Sequence, residues 1–159
     1  MNQQNDFFDA CRSGNIKEVK KLVAVKAALV NSRDAKGFTP LIIAVYKNQP
    51  GVAEFLLQNG AEVNGQDAAG NTALMGVAFK GYGPLAQTLL DAGADVSLCN
   101  GNGTTALMFA ATFGQLKIAE LLLQNGANVY LADEAGQTAL ANAAIEENQE
   151  MIALLKQYM

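Results

Sequence analysis

Four residues return along this chain at a fixed spacing of 33: Asp34, Gly37, Thr39 and Leu41 recur as Asp67, Gly70, Thr72 and Leu74, as Asn100, Gly103, Thr105 and Leu107, and as Asp133, Gly136, Thr138 and Leu140. A unit this short folds as one supersecondary element whose apolar face it cannot bury alone, so copies must stack on one another. The core is then shared between neighbours. Function is left to whatever the stack exposes.

The second half of each unit repeats in the same register. Leu56, Leu57, Gly60, Ala61 and Val63 are followed by Leu89, Leu90, Gly93, Ala94 and Val96, and then by Leu122, Leu123, Gly126, Ala127 and Val129. The combined pattern, D-x-x-G-x-T-P/A-L, a pair of small residues, then V-x-x-L-L-x-x-G-A-x-V, resembles the ankyrin repeat over essentially the whole chain. The resemblance implies an all-α fold, an α-solenoid of stacked helix-turn-helix ankyrin repeats with β-hairpin-like tips and no true sheet. It also implies a single domain over 1–159: an N-terminal capping repeat (1–33), full repeats at 34–66, 67–99 and 100–132, and a C-terminal capping repeat (133–159).

Each recurring residue has a physical task. The Asp or Asn closes a tight turn through its side-chain oxygen, and the glycine supplies backbone freedom at the tip. Thr39, Thr72, Thr105 and Thr138 stand where a helix N-cap belongs, with Pro40 pre-set for the first helical position. Ala44, Ala110, Ala111, Ala143 and Ala144 are small enough for first helices of adjacent units to approach closely. Leu56, Leu89, Leu122 and Leu155 form the inward stripe of the second helices, and Gly60, Gly93 and Gly126 end those helices in the left-handed region.

The end units depart from the pattern. Lys156 stands where the others carry Leu57, Leu90 and Leu123, which suits an outer face in water. The first unit lacks the Gly-Thr turn, keeps an amphipathic helix through Ile16, Val19, Leu22 and Val23, and has an irregular Ala27-Ala28-Leu29-Val30 in place of Gly-Ala-x-Val. Where the family pattern carries histidine after T-P-L, this chain has Ile42, Met75, Met108 and Ala141. The expected result is loss of a hydrogen bond between helix and tip, with apolar packing in its place.

For such arrays the resemblance implies a non-catalytic protein–protein interaction module that binds another protein in a concave groove lined by tips and first helices. Carried over position by position, the tips contribute Arg33, Ala35, Lys36 and Phe38; Gln66, Ala68, Ala69 and Asn71; Cys99, Asn102 and Thr104; and Ala132, Glu134, Ala135 and Gln137. The helices contribute Tyr46 and Lys47, Phe79 and Lys80, Thr112 and Phe113, and Ile145 and Glu146. Tyr46, Phe79, Phe113 and Ile145 fall on successive units, and large apolar groups exposed in a row have the character of binding hot spots. Lys47 and Lys80 beside them favour an apolar and anionic epitope toward the first half. The bland alternative is that these side chains serve stacking alone.

Other functions find little support. Histidine is absent, which removes Ser-His, Cys-His and histidine-based metal sites. Ser13, Ser32 and Ser97 have no recognisable base, and the glycines follow the repeat rather than a phosphate-cradling spacing. Glu146, Glu147 and Glu150 are spaced as a solvated helix face rather than a metal or acid–base centre. No enzyme, metal or cofactor is expected. Cys11 and Cys99 fall in different units and are expected to be free thiols, as in a reducing compartment; a redox role for Cys99 is one alternative reading. Residues 1–47 hold eight basic and four acidic side chains, net +4, and residues 48–159 hold three and eleven, net −8. Such asymmetry can steer a partner, although Lys17, Lys20, Lys21 and Lys26 also read as the solvated face of a capping helix. An overall charge of −4 argues against nucleic acid, and no apolar run is long enough for a membrane span. The N-terminus has no leader-like stretch, so a cytoplasmic monomer is expected, or a periplasmic one if a leader has been removed. The phrase from Thr105 to Gly114 resembles free-standing bacterial ankyrin proteins, among which dedicated toxin inhibitors, immunity factors and accessory regulators of enzymes are the alternative function.

Overall fold

Every helix is short, between seven and eleven residues where a repeat places one. Isolated helices of that length are marginal in water, so each persists only through the face it packs. The computed structural model describes residues 2–159 and contains ten α-helices among them: α1 (Gln3–Ser13), α2 (Ile16–Val25), α3 (Pro40–Tyr46), α4 (Pro50–Gln58), α5 (Ala73–Lys80), α6 (Gly83–Asp91), α7 (Ala106–Thr112), α8 (Leu116–Gln124), α9 (Ala139–Ile145) and α10 (Gln149–Lys156). They follow in pairs joined by short turns, and no sheet is present among the described residues. None is long and apolar enough to cross a membrane. The fold is of the all-α repeat-solenoid class, and the chain divides into two compact units, one through Ala73 and one from Leu74 to Met159.

In the first unit α1 packs on α3 and α2 on α4. Phe7 and Phe8 meet edge to face at 6.1 Å and are buried with Cys11, Val19, Leu41, Ile42 and Leu56. The irregular segment after α2 resolves into a 3₁₀ turn, Ala27–Asn31. With no glycine to make a left-handed exit, Lys26 ends α2 extended (φ −142°), and the tighter turn buries Leu29 and Val30. Asn31 fastens the result: its amide donates to the Gly60 carbonyl at 2.9 Å, and its Oδ1 accepts the Glu62 N–H at 2.9 Å.

In the second unit α7 packs on α9, and α8 lies between α6 and α10. Leu74, Met75, Leu85, Leu89, Leu107, Met108, Leu122, Met151 and Leu155 form the core. All four leucines expected to face inward, Leu56, Leu89, Leu122 and Leu155, are fully buried. The small residues mostly behave as expected: Ala44, Ala110, Ala111 and Ala143 are buried, but Ala144 is exposed. α9 has a first-helix neighbour, α7, on one side only, so nothing closes over Ala144.

The caps follow the threonines. Thr39, Thr105 and Thr138 hydroxyls accept the N–H groups of Ile42, Met108 and Ala141 at 3.1, 3.3 and 3.1 Å, which satisfies one orphan donor at each helix start. At Thr105 the sequence expectation needs correcting. The Thr105 N–H donates to Met108 Sδ at 3.5 Å, so a thioether takes the reciprocal acceptor place that a side-chain nitrogen or oxygen would fill. The bond is weakened there rather than lost.

Candidate functional site

The exposed tips are built by one device used four times. Asp34 Oδ1 accepts the N–H groups of Lys36 and Phe38, Asp67 those of Ala69 and Asn71, Asn100 those of Asn102 and Thr104, and Asp133 those of Ala135 and Gln137, all at 2.8–3.0 Å. A side-chain oxygen that satisfies two backbone donors replaces a ladder partner, so the tip holds its shape without strands. Hairpin character is confined to single antiparallel bridges, Cys99 with Thr105 and Ala132 with Thr138. Consecutive tips also touch within each unit. The Glu134 N–H donates to the Asn102 carbonyl at 3.0 Å, and a Cβ on Gly103 would stand 3.2 Å from Asp133 Cα.

This construction sorts the tip residues. Lys36, Ala35, Ala68, Ala69, Asn102, Glu134, Ala135 and Ala132 are exposed, while Phe38, Asn71, Thr104 and Gln137 are half-buried. Arg33 and Gln66 act as supports. The Arg33 guanidinium donates to the Gly37 carbonyl at 3.0 Å and to the Gln66 carbonyl, and Gln66 Nε2 donates to the Gly70 carbonyl at 2.7 Å.

The first-helix ends differ between units. In the first, Tyr46 is half-buried against Phe38, edge to face at 6.3 Å, with Lys47 exposed beyond it as the helix C-cap. Burial, and secondarily the Asp67 carboxylate, raise the Tyr46 phenol above its ordinary pKa. In the second unit the large side chains lie more open. Phe79 is 42% exposed and Phe113 45%; their rings meet edge to face at 4.7 Å, with Phe109 stacked on Phe113 at 6.5 Å. Lys80 Nζ lies 5.9 Å from the Phe79 ring centre. Thr112 spends its hydroxyl on the Met108 carbonyl at 3.0 Å, so it supports the helix end. Ile145 is 67% exposed, next to exposed Glu146.

Two features escaped the sequence reading. Tyr130 is 63% exposed in the turn after α8, where the sister units carry Asn64 and Ser97; a register comparison would have found it. The second is the turn between paired helices. Asn48 and Glu147 have positive φ, 52° and 54°, at the register position that Gly81 and Gly114 fill at 85° and 68°. Among the described residues no group of three or more His, Cys, Asp or Glu side chains is placed to hold a metal ion. Cys99 is exposed and Cys11 buried, and neither forms a disulfide; desolvation pushes the Cys11 pKa up to about 12 against the opposing pull of Arg12. The surface thus offers apolar area and fixed polar tips, which is chemistry for binding. The family model for ankyrin repeats (3 copies) matches residues 3–67 and 74–159.

Proposed function

The chain belongs to the ankyrin repeat family, whose repeats are generally non-catalytic protein–protein interaction modules, and from that premise we propose that it captures a partner protein through its tips and first-helix ends. The observation that carries this reading is the Phe79–Phe113 pair, edge to face at 4.7 Å and more than two-fifths exposed on each ring. Two large aromatics already held in one mutual geometry lose little conformational freedom on docking. Exposed apolar area of this kind is where hot-spot energy concentrates. The clamped tips of the second unit, each closed by a side-chain oxygen, extend the same rigid display to Asn102 and Glu134. No step of bond chemistry is needed, and none is proposed.

The test pairs affinity capture from native lysate, with mass spectrometry to identify the partner, with remeasurement of that complex by calorimetry. Phe79→Ala combined with Phe113→Ala should weaken the complex by roughly 2–4 kcal/mol, the range of hot-spot aromatics, while far-UV circular dichroism stays unchanged. A partner that binds this double variant as tightly as the parent would overturn the proposal.

A further inference from the structure

Resting on that reading of the aromatic face, we infer that its occupant is a basic protein segment that sets an arginine beside an apolar side chain. Two independent properties of the second unit select the same chemistry. The first is the ring cluster of Phe79, Phe109 and Phe113, which leaves nearly half of Phe113 open; an aromatic face attracts a cation, and a guanidinium best of all because it can also stack. The second is the charge around it. From Leu74 to Met159 the chain carries three basic and eight acidic side chains. Glu134, Glu146 and Glu147 are exposed, and none of the three enters an ion pair among the described residues.

Register places Glu146 and Glu147 at the rings, while Glu134 sits on the tip from which α9 starts. Phe113 and Glu146 are the C-cap residues of α7 and α9, two helices that pack together and start from adjoining tips. A Cβ on Gly114 would stand 3.5 Å from the Asn148 side chain, so the turns that follow the two helices also adjoin. Packed helices lie about 8–10 Å apart, close to one Debye length at physiological salt, so Glu146 and Glu147 still contribute a negative field at Phe113. Lys80, the one cation on the first helices of this unit, already lies against Phe79 and marks the end of the face that an incoming cation avoids. Ile145, two-thirds exposed beside Glu146, supplies the apolar contact for a neighbouring aliphatic group. The occupant therefore runs with its arginine toward Phe113 and the glutamates. Complementarity of this kind sets specificity and association rate more than raw affinity.

A phage-displayed library of random twelve-residue peptides, selected on the intact protein, tests this directly. Enriched peptides are expected to be net positive, with arginine next to Leu, Ile or an aromatic residue. Their synthetic forms should lose at least tenfold in affinity on Glu134→Gln, Glu146→Gln and Glu147→Gln together. Neutralising Asp91 and Glu120, on the second helices, should change it less than threefold. Enrichment of neutral or acidic peptides that still depend on Phe113 would overturn the inference and leave the binding face standing. Basic peptides indifferent to Phe113→Ala would bring down the face itself. Equal losses from the two sets of acid substitutions, or no enrichment at all, would also overturn the inference.

Discussion

Glu147 is the one residue in its register position that backbone sterics disfavour strongly. The position takes φ of 52° at Asn48, 85° at Gly81, 68° at Gly114 and 54° at Glu147. An L-residue other than Asn or Gly in this region costs about 1–2 kcal/mol because Cβ approaches the following carbonyl. Glycine removes that strain but loses about 0.5–1 kcal/mol more conformational entropy on folding. Glu147→Gly is therefore expected to stabilise the protein by roughly 0.5–1 kcal/mol from backbone terms. The substitution also removes a charge next to Glu146 and just before α10, so Glu147→Gln serves as control, with the charge gone and the strain kept. The quantity to read is the difference between the two variants in urea denaturation, about 0.5–1 kcal/mol in favour of Gly, or about 2–4 °C in melting temperature per kcal/mol for a chain of this size. Gly114→Ala is the mirror experiment, since its Cβ would meet nothing closer than 3.5 Å; it should destabilise by a similar amount. A Glu147→Gly protein no more stable than Glu147→Gln would refute the reasoning, because the left-handed turn would then carry no strain.

Other outcomes follow from the same structure. Leu89→Ala, which truncates a fully buried side chain in the second unit, should cost roughly 2–5 kcal/mol, and a loss near zero in denaturant would mean the inward face is misassigned. A thiol reagent should label exposed Cys99 rapidly and buried Cys11 only on unfolding, read by mass spectrometry of the labelled peptides. Because the Cys11 pKa is raised from 9.0 to about 12, its contribution to stability is fully present below pH 9 and falls as pH rises from 9 toward 12, where the unfolded state releases a proton that the folded state keeps. Cys11→Ala should flatten that part of the pH–stability curve.

The exposure of the candidate site was partly legible beforehand. The register that aligned Phe79 with Ile145 also singled out both as exposed, and the structure leaves them so. It could not separate Phe113 from Tyr46, the one open beside Phe79 and the other folded against Phe38, because ring orientation depends on side-chain packing and not on spacing. Nor could it tell that Arg33, Gln66 and Thr112 spend their polar groups on neighbouring carbonyls.

By itself the amino-acid order determined the architecture, because a 33-residue period with leucines on one stripe and threonines at helix starts has only one economical way to bury its apolar face: against copies of itself. The threonine caps, the side-chain-closed tips and the inward leucines all follow from local patterns repeated in register. Tertiary structure alone decided the rest. It turned the glycine-less exit of α2 into a 3₁₀ turn that buries Leu29 and Val30, left Ala144 uncovered, gave Met108 sulfur a capping role, and forced Glu147 into a left-handed turn. Each of these depends on which groups the folded chain brings within a few ångströms, and no residue's own propensity encodes that.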